Sequence, residues 1–308
     1  MTLLNCFWRP IRFGLQTTSA KISNLSGCSA NIISHGRRLL VPADYSYKAI
    51  ETGQQVKPEL LNANAIASAL QTSYWRVSVV DEIDSTQNYL RTSNPKSGEL
   101  ITAEYQSAGR GRLDRKFDAE KSSALLFSFY FEPETLIKNF GYLTLLVGAS
   151  VAATLNEITE SDNFKCKWPN DILFNDRKVA GILAEKNNAG AIVGIGINVS
   201  TSEAALPVAH ATSIFLATKL ILDRNILLAR ILNNLAIDLL DWQSGGDLTQ
   251  KYRNLSTTIG SQVRVELPGG SNVEAMAVDI DETGSLHLNN GQVITVGDVI
   301  HLDSKLSQ

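Results

Sequence analysis

Strand-like segments separated by very short turns occupy the middle of this chain. Pro169 and Asn170 interrupt the first segment, and Asn175-Asp176 has the composition of a tight hairpin turn. The next segment begins at Lys178, and the last runs from Ala191 to Val199. The chain is therefore predicted to fold around a β-sheet that contains this hairpin.

Other predicted elements surround the hairpin. Leucine and isoleucine side chains recur at helical spacing just after Pro58, and a continuous apolar segment near residue 150 is typical of a buried helix. The predicted strands are Arg76–Ile83, Leu100–Tyr105 and Leu125–Phe131, and the predicted helices are residues 60–70, 141–158 and Ser213–Trp242, the last with a break near Asp223.

The composition limits the class of protein. At 308 residues, with 44% hydrophobic and 19% charged side chains, the chain is long enough for a large domain and a smaller one, and too apolar to be mostly disordered. The apolar stretch Gly141 to Leu155 is shorter than a membrane-spanning helix, so no membrane segment is predicted.

Cys6, Cys28 and Cys166 lie far apart without ligand spacing, which argues against a disulfide framework or a zinc site. A reducing, cytoplasmic compartment is expected.

The N-terminal segment differs in charge from the rest of the chain. Residues 1–43 contain five basic and no acidic side chains, while the remainder carries an excess of acidic residues. The segment is rich in serine and has neither helical nor strand periodicity. It could be an organelle transit peptide, a basic arm for nucleic acid, sequence upstream of a misplaced start, or an ordered segment that the pattern does not reveal. No pair of helices with a tight glycine turn is visible before residue 58, so a DNA-reading domain is not predicted.

Asp84-Ser85-Thr86-Gln87 follows the first predicted strand. Small oxygen-bearing side chains at such a position cap the N-terminus of a helix by accepting hydrogen bonds from its free amides. The same hydroxyl groups could also hold polar atoms of a ligand at the helix N-terminus. The two interpretations are compatible with one structure.

Glycines alternate with cationic residues between Gln106 and Phe117. The glycines permit close backbone approach, and the guanidinium groups suit carboxylate and phosphate. The segment has neither the GxxxxGK(S/T) motif nor the third glycine of the dinucleotide-binding fingerprint. It is either a solvated basic loop or an anion-binding site. The residues that give it this character are Gly109, Arg110, Gly111, Arg112, Arg115 and Lys116.

Lys178 and Gly181 lie in the strand after the hairpin turn. A lysine at a strand start is usually solvated, whereas a glycine within a strand often marks close approach by a ligand or another backbone. Gly194 and Gly196 in the following strand are more typical of sheet packing than of nucleotide binding. The chain has no GxSxG or HExxH motif and its four histidines show no useful spacing, so covalent nucleophilic catalysis is not predicted.

Four sequence blocks in this order resemble the biotin protein ligase family: DSTQ, EYQSAGRGR, KWPNDILFNDRKVAGIL and GIGINV. The resemblance covers about residues 58 to 303. It implies an α+β fold in which a mixed β-sheet flanked by helices precedes a small SH3-like barrel. Short apolar strands alternate with glycine-containing turns from Val263 to Leu302, as such a barrel requires. The implied organisation is an extension at residues 1–57, a catalytic domain at 58–257 and the barrel at 258–308.

The resemblance implies an ATP-dependent ligase. The family joins biotin to ATP to give biotinyl-5′-AMP and pyrophosphate, then transfers biotin to one lysine of a biotin carboxyl carrier protein or domain. The implied biotin-binding residues are Ser85, Thr86, Gln87, Gln106, Gly109, Arg110, Gly111, Arg112, Lys178 and Gly181. The implied ATP-binding residues are Arg110, Arg112, Arg115, Phe117, Trp168, Asn170 and Asn198. The implied catalytic residues are Arg112, Lys178 and Asp171, with Asp171 either a Mg²⁺ ligand or a base for the acceptor lysine.

Other functions are compatible with parts of the sequence. A lipoate or octanoate ligase uses the same catalytic fold, but those relatives lack the GRGR loop and the KWPND block as written here. A bifunctional ligase and biotin-operon repressor needs a DNA-reading domain before residue 58, and the acidic remainder of the chain gives no strong attraction to DNA. A protein that binds biotin without catalysis is a further alternative, although Arg112 and Lys178 are both present. A monomer or weak homodimer is expected.

Overall fold

The computed structural model of the chain describes residues 48–49, 59–112, 115–134 and 140–302. Predictions for the rest of the N-terminal segment lie outside the described residues. The strands are β1 (Lys48–Ala49), β2 (Arg76–Ile83), β3 (Glu99–Gln106), β4 (Ala124–Phe131), β5 (Phe164–Lys167), β6 (Asp171–Phe174), β7 (Arg177–Asn187), β8 (Gly190–Asn198), β9 (Leu220–Ile221), β10 (Gln262–Glu266), β11 (Asn272–Ile280), β12 (Leu286–Leu288), β13 (Val293–Ile294) and β14 (Asp298–His301). The helices are α1 (Ala63–Ala69), α2 (Thr86–Ser93), α3 (Leu143–Thr159), α4 (Ile214–Thr218), α5 (Arg224–Gln243) and α6 (Thr249–Leu255), with short 3-10 turns at Phe140–Tyr142 and Glu203–Ala205.

Seven strands form one mixed sheet in the order β2-β3-β4-β8-β7-β6-β5. Strands β2 and β3 are parallel, and helix α2 provides the crossover between them. The other neighbouring strands of this sheet pair antiparallel. The fold is therefore the predicted α+β arrangement of a mixed sheet flanked by helices.

Asn175 and Asp176 form the predicted turn between β6 and β7. Both have φ in the left-handed region, at 45° and 67°, which asparagine and aspartate tolerate better than most residues. The two strands pair antiparallel, with Phe174 opposite Arg177. The hairpin prediction is confirmed, and the register determines which side chains of β6 and β7 face each other.

Strand β4 is buried at every position because helices cover both faces of the sheet. Leu125, Phe127 and Phe129 belong to the main core with α3 and α5. Tyr130, which points the other way, packs with Leu90 of α2. The continuous apolar sequence of β4 thus reflects its position at the centre of a three-layer structure.

Helix α3 is long and largely apolar. By length and composition alone, Phe140–Thr159 could cross a membrane, but 72% of its most apolar window is buried inside the protein. Its side chains pack against the sheet and against α5. It is a core helix, as the sequence predicts.

The last five strands form a separate antiparallel sheet in the order β13-β12-β11-β10-β14. Its inward side chains, among them Val263, Val265 and Ala277, alternate with more exposed ones. The predicted SH3-like barrel is confirmed. Glycines with positive φ occupy its turns, at Gly269, Gly270, Gly284 and Gly291.

The predicted break near Asp223 in the segment from Ser213 to Trp242 is confirmed, because Asp223 caps the start of α5. The break is wider than predicted: α4 ends at Thr218, its C-cap Lys219 has a left-handed φ of 63°, and strand β9 separates α4 from α5. Strand β9 pairs antiparallel with β1. Lys48 and Ala49 therefore form a strand, although the sequence places them in an irregular extension. The pairing joins parts of the chain so distant that helical periodicity alone could not predict it.

A buried ion pair holds the segment that precedes α1 against the sheet. Arg224 Nη2 lies 2.7 Å from Glu104 Oε2, and the two side chains are only 2% and 4% exposed. The other carboxylate oxygen of Glu104 accepts a hydrogen bond from Leu61 N at 2.5 Å. Arg224 also donates to the carbonyl oxygens of Glu59 and Ala124. The segment that precedes α1 is thereby fixed against β3 and α5.

Candidate active site

A cavity of about 580 Å³ is lined by both the mixed sheet and the barrel. The barrel contributes five residues to its wall: Glu266, Asp298, Val299, Ile300 and His301. Every predicted site residue except Gly109 lines the same cavity. These residues are Ser85, Thr86, Gln87, Gln106, Arg110, Gly111, Arg112, Arg115, Phe117, Trp168, Asn170, Asp171, Lys178, Gly181 and Asn198.

Gly109 lies beside the cavity and allows two backbone segments to approach. Its carbonyl oxygen accepts a hydrogen bond from Phe117 N at 3.0 Å, and a Cβ at this position would lie 2.2 Å from Phe117 O. Gly111 N donates to Arg115 O at 2.7 Å. These contacts pair residues 109–112 with residues 115–117, and we call these two segments the arginine hairpin.

Uncharged hydrogen-bonding groups form one end of the cavity. Ser85 caps α2 as predicted, its hydroxyl accepting a hydrogen bond from Asn88 N. Gln106 Oε1 accepts hydrogen bonds from Thr86 N at 2.7 Å and from the Thr86 hydroxyl at 2.9 Å. The Thr86 hydroxyl also lies 2.8 Å from Ser128 Oγ. This network orients donors and acceptors without net charge, which suits a neutral polar group of a ligand.

Glycines of β8 make room for larger side chains on the cavity wall. A Cβ on Gly194 would lie 2.8 Å from Gln87 Oε1, and one on Gly196 would lie 2.5 to 2.9 Å from ring atoms of Phe117. Gln87 also donates from Nε2 to Leu183 O at 3.2 Å. The interpretation of Gly194 and Gly196 as sheet packing is therefore incomplete, because both also line the cavity.

Arg112 and Arg115 of the arginine hairpin contact the barrel. Arg112 Nη1 donates to Asn170 Oδ1 at 3.1 Å and lies 3.2 Å from Asp298 Oδ1. Arg112 Nη2 donates to Gly297 O at 3.1 Å. Arg115 Nη2 lies 2.5 Å from the other carboxylate oxygen of Asp298. One carboxylate of β14 thus pairs with both arginines.

Arg110 has a different carboxylate partner. Its Nη1 and Nη2 each donate to Glu185 of β7 at 3.1 Å, in a bidentate pair. Arg91 of α2 contacts the same carboxylate. Glu185 is not among the residues that line the cavity. This pair therefore fixes the first part of the arginine hairpin to the sheet from outside the cavity.

Lys178 and Asp171 form an ion pair on the cavity wall. Lys178 Nζ lies 2.6 Å from Asp171 Oδ1, and the side chains are 31% and 23% exposed. Asp171 lies opposite Gly181 in the β6–β7 pairing. A Cβ on Gly181 would lie 3.4 Å from Lys178 Nζ, so the glycine leaves the ammonium group open to the cavity.

Lys167 lines the cavity although the sequence analysis did not select it. It lies directly opposite Asp171 in the β5–β6 pairing. Burial lowers the pKa of Lys167, the nearby Asp171 raises it and Lys178 lowers it further. The alternation of apolar and charged residues in Phe164-Lys165-Cys166-Lys167 was the available signal, since it places both lysines on the same, more accessible face of β5.

His210 is a second lining residue that the sequence analysis did not select. Its carbonyl oxygen accepts a hydrogen bond from Lys178 N at 2.8 Å, and Thr212 N donates back to Lys178 O at 2.8 Å. Burial lowers the pKa of the His210 imidazole, and Lys167 and Lys178 lower it further. No local motif marks this residue, because its position depends on a bridge between distant segments.

Asn198 presents an unused acceptor on the cavity wall. The residue is 4% exposed, and its Nδ2 donates to Thr212 O at 3.1 Å. Its Oδ1 is buried and has no hydrogen-bond partner within the described residues. A buried acceptor without a partner is costly, so this atom is suited to a donor group of a ligand.

Trp168 joins the catalytic domain to the barrel. Its indole Nε1 donates to Gly284 O at 2.9 Å, its backbone N donates to Thr258 Oγ1 at 3.0 Å, and the side chain is 2% exposed. The indole N–H is therefore already used in a hydrogen bond to the barrel. Its direct contact with ATP stays a prediction.

Metal-binding groups do not converge in the described residues. No cluster of three or more His, Cys, Asp or Glu side chains suited to a metal ion is present there. Asp171, the predicted Mg²⁺ ligand, is paired with Lys178. A single carboxylate fits Mg²⁺ only when substrate phosphates and water supply the remaining ligands.

The cavity therefore combines an uncharged end with a cationic end. Thr86 and Gln106 supply the first, whereas Arg112, Arg115 and Lys178 supply the second. Such a site can hold a molecule with a neutral polar head and bring its anionic end against a second anion. Fixed positive charge lowers the repulsion between the two anions without an enzyme nucleophile.

Two family models match the chain. Residues 79–202 match the biotin/lipoate A/B protein ligase family, and residues 258–302 match the biotin protein ligase C-terminal domain. The biotin-acetyl-CoA-carboxylase ligase of Mycobacterium tuberculosis is 36% identical over 213 residues, which cover 67% of this chain and 79% of that protein.

Further similarity is found in a bacterial regulator and in a solved structure. The bifunctional ligase/repressor BirA of Escherichia coli is 32% identical over 246 residues, which cover 77% of this chain and 75% of that protein. The structure of biotin protein ligase from Aquifex aeolicus in complex with biotin and ATP superposes with a TM-score of 0.65 at 32% identity. That superposition covers 73% of this chain and 97% of the Aquifex chain.

Proposed function

This chain belongs to the biotin protein ligase family, and from that premise we propose that it activates biotin with ATP and transfers biotin to a lysine of a carrier protein. It is an enzyme of the ligase class. The observation that carries the proposal is the joining of a neutral polar end and a cationic end in one cavity. The lipoate-ligase and repressor alternatives are not favoured by these observations.

The neutral end of the cavity suits the ureido ring of biotin. That ring presents a carbonyl acceptor and N–H donors but no charge. The hydrogen-bond network at this end has hydroxyl and amide groups, which can both donate to the ring carbonyl and accept from its N–H groups. Its members are Ser85, Thr86, Gln106 and Ser128. The carboxylate at the other end of biotin then extends toward Arg112 and Lys178.

The cationic end suits the first chemical step. A carboxylate oxygen of biotin attacks the α-phosphorus of ATP, the bond to the β-phosphate oxygen breaks, and pyrophosphate leaves with the electron pair. Arg112 and Lys178 stabilise the negative charge on the reacting oxygens, because both cations line the cavity at this end. Asn198 Oδ1 is suited to accept a hydrogen bond from the adenine amino group.

Magnesium enters this proposal as part of the nucleotide. Mg²⁺ usually binds few protein carboxylates and completes its octahedron with phosphate oxygens and water. Asp171 would be its protein ligand in this cavity once Lys178 turns toward the substrate. The ion supplies positive charge to the phosphates.

The second step transfers biotin from the adenylate to the carrier. The neutral amine of the acceptor lysine attacks the biotinyl carbonyl carbon, the bond to the phosphate oxygen breaks, and AMP leaves. A lysine with a pKa of about 10.4 is almost fully protonated at neutral pH, so a base must take one proton. We assign that role to Asp171, whose carboxylate becomes available when substrate anions draw Lys178 away.

Asp171→Asn is expected to slow transfer from preformed biotinyl-5′-AMP by about 100-fold, because the amide cannot accept the proton. Raising the pH should restore part of the rate, since more of the acceptor lysine is then neutral. Single-turnover transfer followed across a pH series measures both effects. Slower adenylation with unchanged transfer would instead place Asp171 on the nucleotide or on Mg²⁺.

Thr86→Val is expected to weaken biotin binding by about 10- to 100-fold, because it removes a ligand contact and the Thr86 hydroxyl contacts with Gln106 and Ser128, although Gln106 keeps its bond from Thr86 N. Calorimetric titration with biotin measures this change. Thr92→Val is the matched control, since Thr92 lies on the same helix, is exposed and bonds only to backbone carbonyls. Equal affinities in the two variants would remove Thr86 from the biotin site.

The direct test is a biotinylation assay with the full chain. The protein is incubated with ATP, Mg²⁺, a carboxyl carrier domain and either biotin or lipoate, and the carrier is examined by mass spectrometry. We expect the mass of one biotinyl group to be added to one lysine only when ATP and biotin are both present. Transfer of lipoate, or no transfer of either acid, would contradict the proposed function.

A further inference from the structure

Asp298 is the contribution of the barrel to the cationic end of the cavity. It is the first residue of β14 and lines the cavity with its side chain 17% exposed. Its Oδ1 lies 3.2 Å from Arg112 Nη1, and its Oδ2 lies 2.5 Å from Arg115 Nη2. Each carboxylate oxygen therefore pairs with a different arginine.

Both terminal nitrogens of Arg112 already have protein partners in this arrangement. Nη1 is shared between Asn170 and Asp298, and Nη2 donates to Gly297 O. Three of its five N–H donors are thus engaged, and an anion that binds Nη1 must replace Asn170 or Asp298. Asp298 is the partner that a ligand anion resembles in charge and in geometry.

The Arg110–Glu185 pair differs from the pairs of Asp298 in where its carboxylate lies. It is also bidentate, but Glu185 is not a cavity-lining residue. A ligand inside the cavity need not break that pair in order to bind. Asp298 is different because it holds its arginines from a position on the cavity wall itself.

We propose that Asp298 is an internal anion that occupies Arg112 and Arg115 until a phosphate group of the nucleotide displaces it. The proposal rests on the proposed function for the identity of that phosphate. Displacement costs free energy, so the apparent affinity for the phosphate equals the intrinsic affinity multiplied by the fraction of molecules in which the arginines are free. The same displacement loosens the contact between the arginine hairpin and β14, so nucleotide binding is coupled to the barrel.

The test compares AMP and adenosine, which differ in the phosphate alone. Each is titrated at low ionic strength into the full chain with saturating biotin. AMP is expected to bind Asp298→Asn about tenfold more tightly than the parent if Asp298 holds the arginines about nine-tenths of the time. Adenosine is expected to bind both proteins equally. High salt should reduce the difference in AMP affinity, because it screens the competing charges.

Glu266→Gln is the matched control. Glu266 is also a barrel carboxylate on the cavity wall, and it forms no ion pair in the described part of the chain. Its replacement removes the same charge, so AMP affinity should change by less than about threefold if direct pairing matters more than net charge. Asp298→Glu, which keeps the carboxylate, should return AMP affinity toward that of the parent, and a thermal melt of each variant confirms that it is folded.

The outcomes separate this proposal from the proposed function. Equal AMP affinities in Asp298→Asn and Glu266→Gln would overturn the internal-anion role. A parallel loss of AMP and adenosine affinity in Asp298→Asn would also overturn it, since that pattern indicates support of the cavity wall. AMP that binds neither the parent nor any variant would contradict the nucleotide site of the proposed function.

Discussion

Lys178→Ala is expected to lower the rate of biotinyl-5′-AMP formation by about 100- to 1000-fold. The ammonium group lies on the cavity wall with no side chain at Gly181 to cover it. In the proposed mechanism its positive charge stabilises the negatively charged oxygens of the reacting carboxylate and phosphate. Its removal also leaves the Asp171 carboxylate without its partner at 2.6 Å, which adds repulsion toward the substrate anions.

Pyrophosphate release without a carrier domain measures this rate. Lys186→Ala is the matched control because Lys186 lies on the same strand, is exposed and is not a cavity-lining residue. The double variant Lys178→Ala/Asp171→Asn separates the two causes. It should recover part of the rate if repulsion by the unpaired carboxylate outweighs the loss of Asp171 as a Mg²⁺ ligand. A rate in Lys178→Ala equal to that in Lys186→Ala would show that Lys178 takes no part in adenylation.

Arg224→Met is expected to destabilise the protein by about 3 to 5 kcal/mol. Methionine keeps the apolar length of the side chain, so the losses are the charge that pairs with Glu104 and the hydrogen bonds to the carbonyl oxygens of Glu59 and Ala124. The carboxylate would stay buried with Leu61 N as a remaining donor. For a domain of this size, a loss of that order lowers the midpoint of thermal unfolding by roughly 6 to 20 °C.

Urea unfolding followed by circular dichroism measures the change in the free energy of unfolding. Lys121→Met is the control, since its ion pair with Asp81 is solvent-exposed and should leave the midpoint almost unchanged. The double variant Glu104→Leu/Arg224→Met should recover much of the loss, because it removes both charges together. Similar midpoints for Arg224→Met and Lys121→Met would contradict a structural role for the buried pair.

The elements of the catalytic domain could be predicted where local sequence determines them. Asn175-Asp176 accepts left-handed backbone conformations, so the hairpin was visible in the sequence. Ser85 caps α2 because its hydroxyl can satisfy a free amide. The glycines and arginines of the arginine hairpin marked the cationic end. In each case the chemistry lies within a few neighbouring residues.

The rest of the cavity depends on contacts between distant segments. Lys167 faces Asp171 only because the β5–β6 register places them opposite each other. His210 reaches the cavity through a bridge between its segment and Lys178. Asp298 pairs with Arg115 although the two residues lie 183 positions apart in the chain. Periodicity along the chain carries no information about such long-range contacts.

Trp168 and Asp298 both make contacts across the boundary between the catalytic domain and the barrel. These contacts limit how the barrel could be exchanged among related proteins. A barrel that only docked a carrier could be exchanged among relatives like any separate module. Here the barrel supplies part of the cavity wall and the Asp298 carboxylate, which pairs directly with Arg112 and Arg115. A hybrid that joins this catalytic domain to a foreign barrel would therefore acquire a different ligand site. Keeping the site intact would require the two domains to be exchanged together.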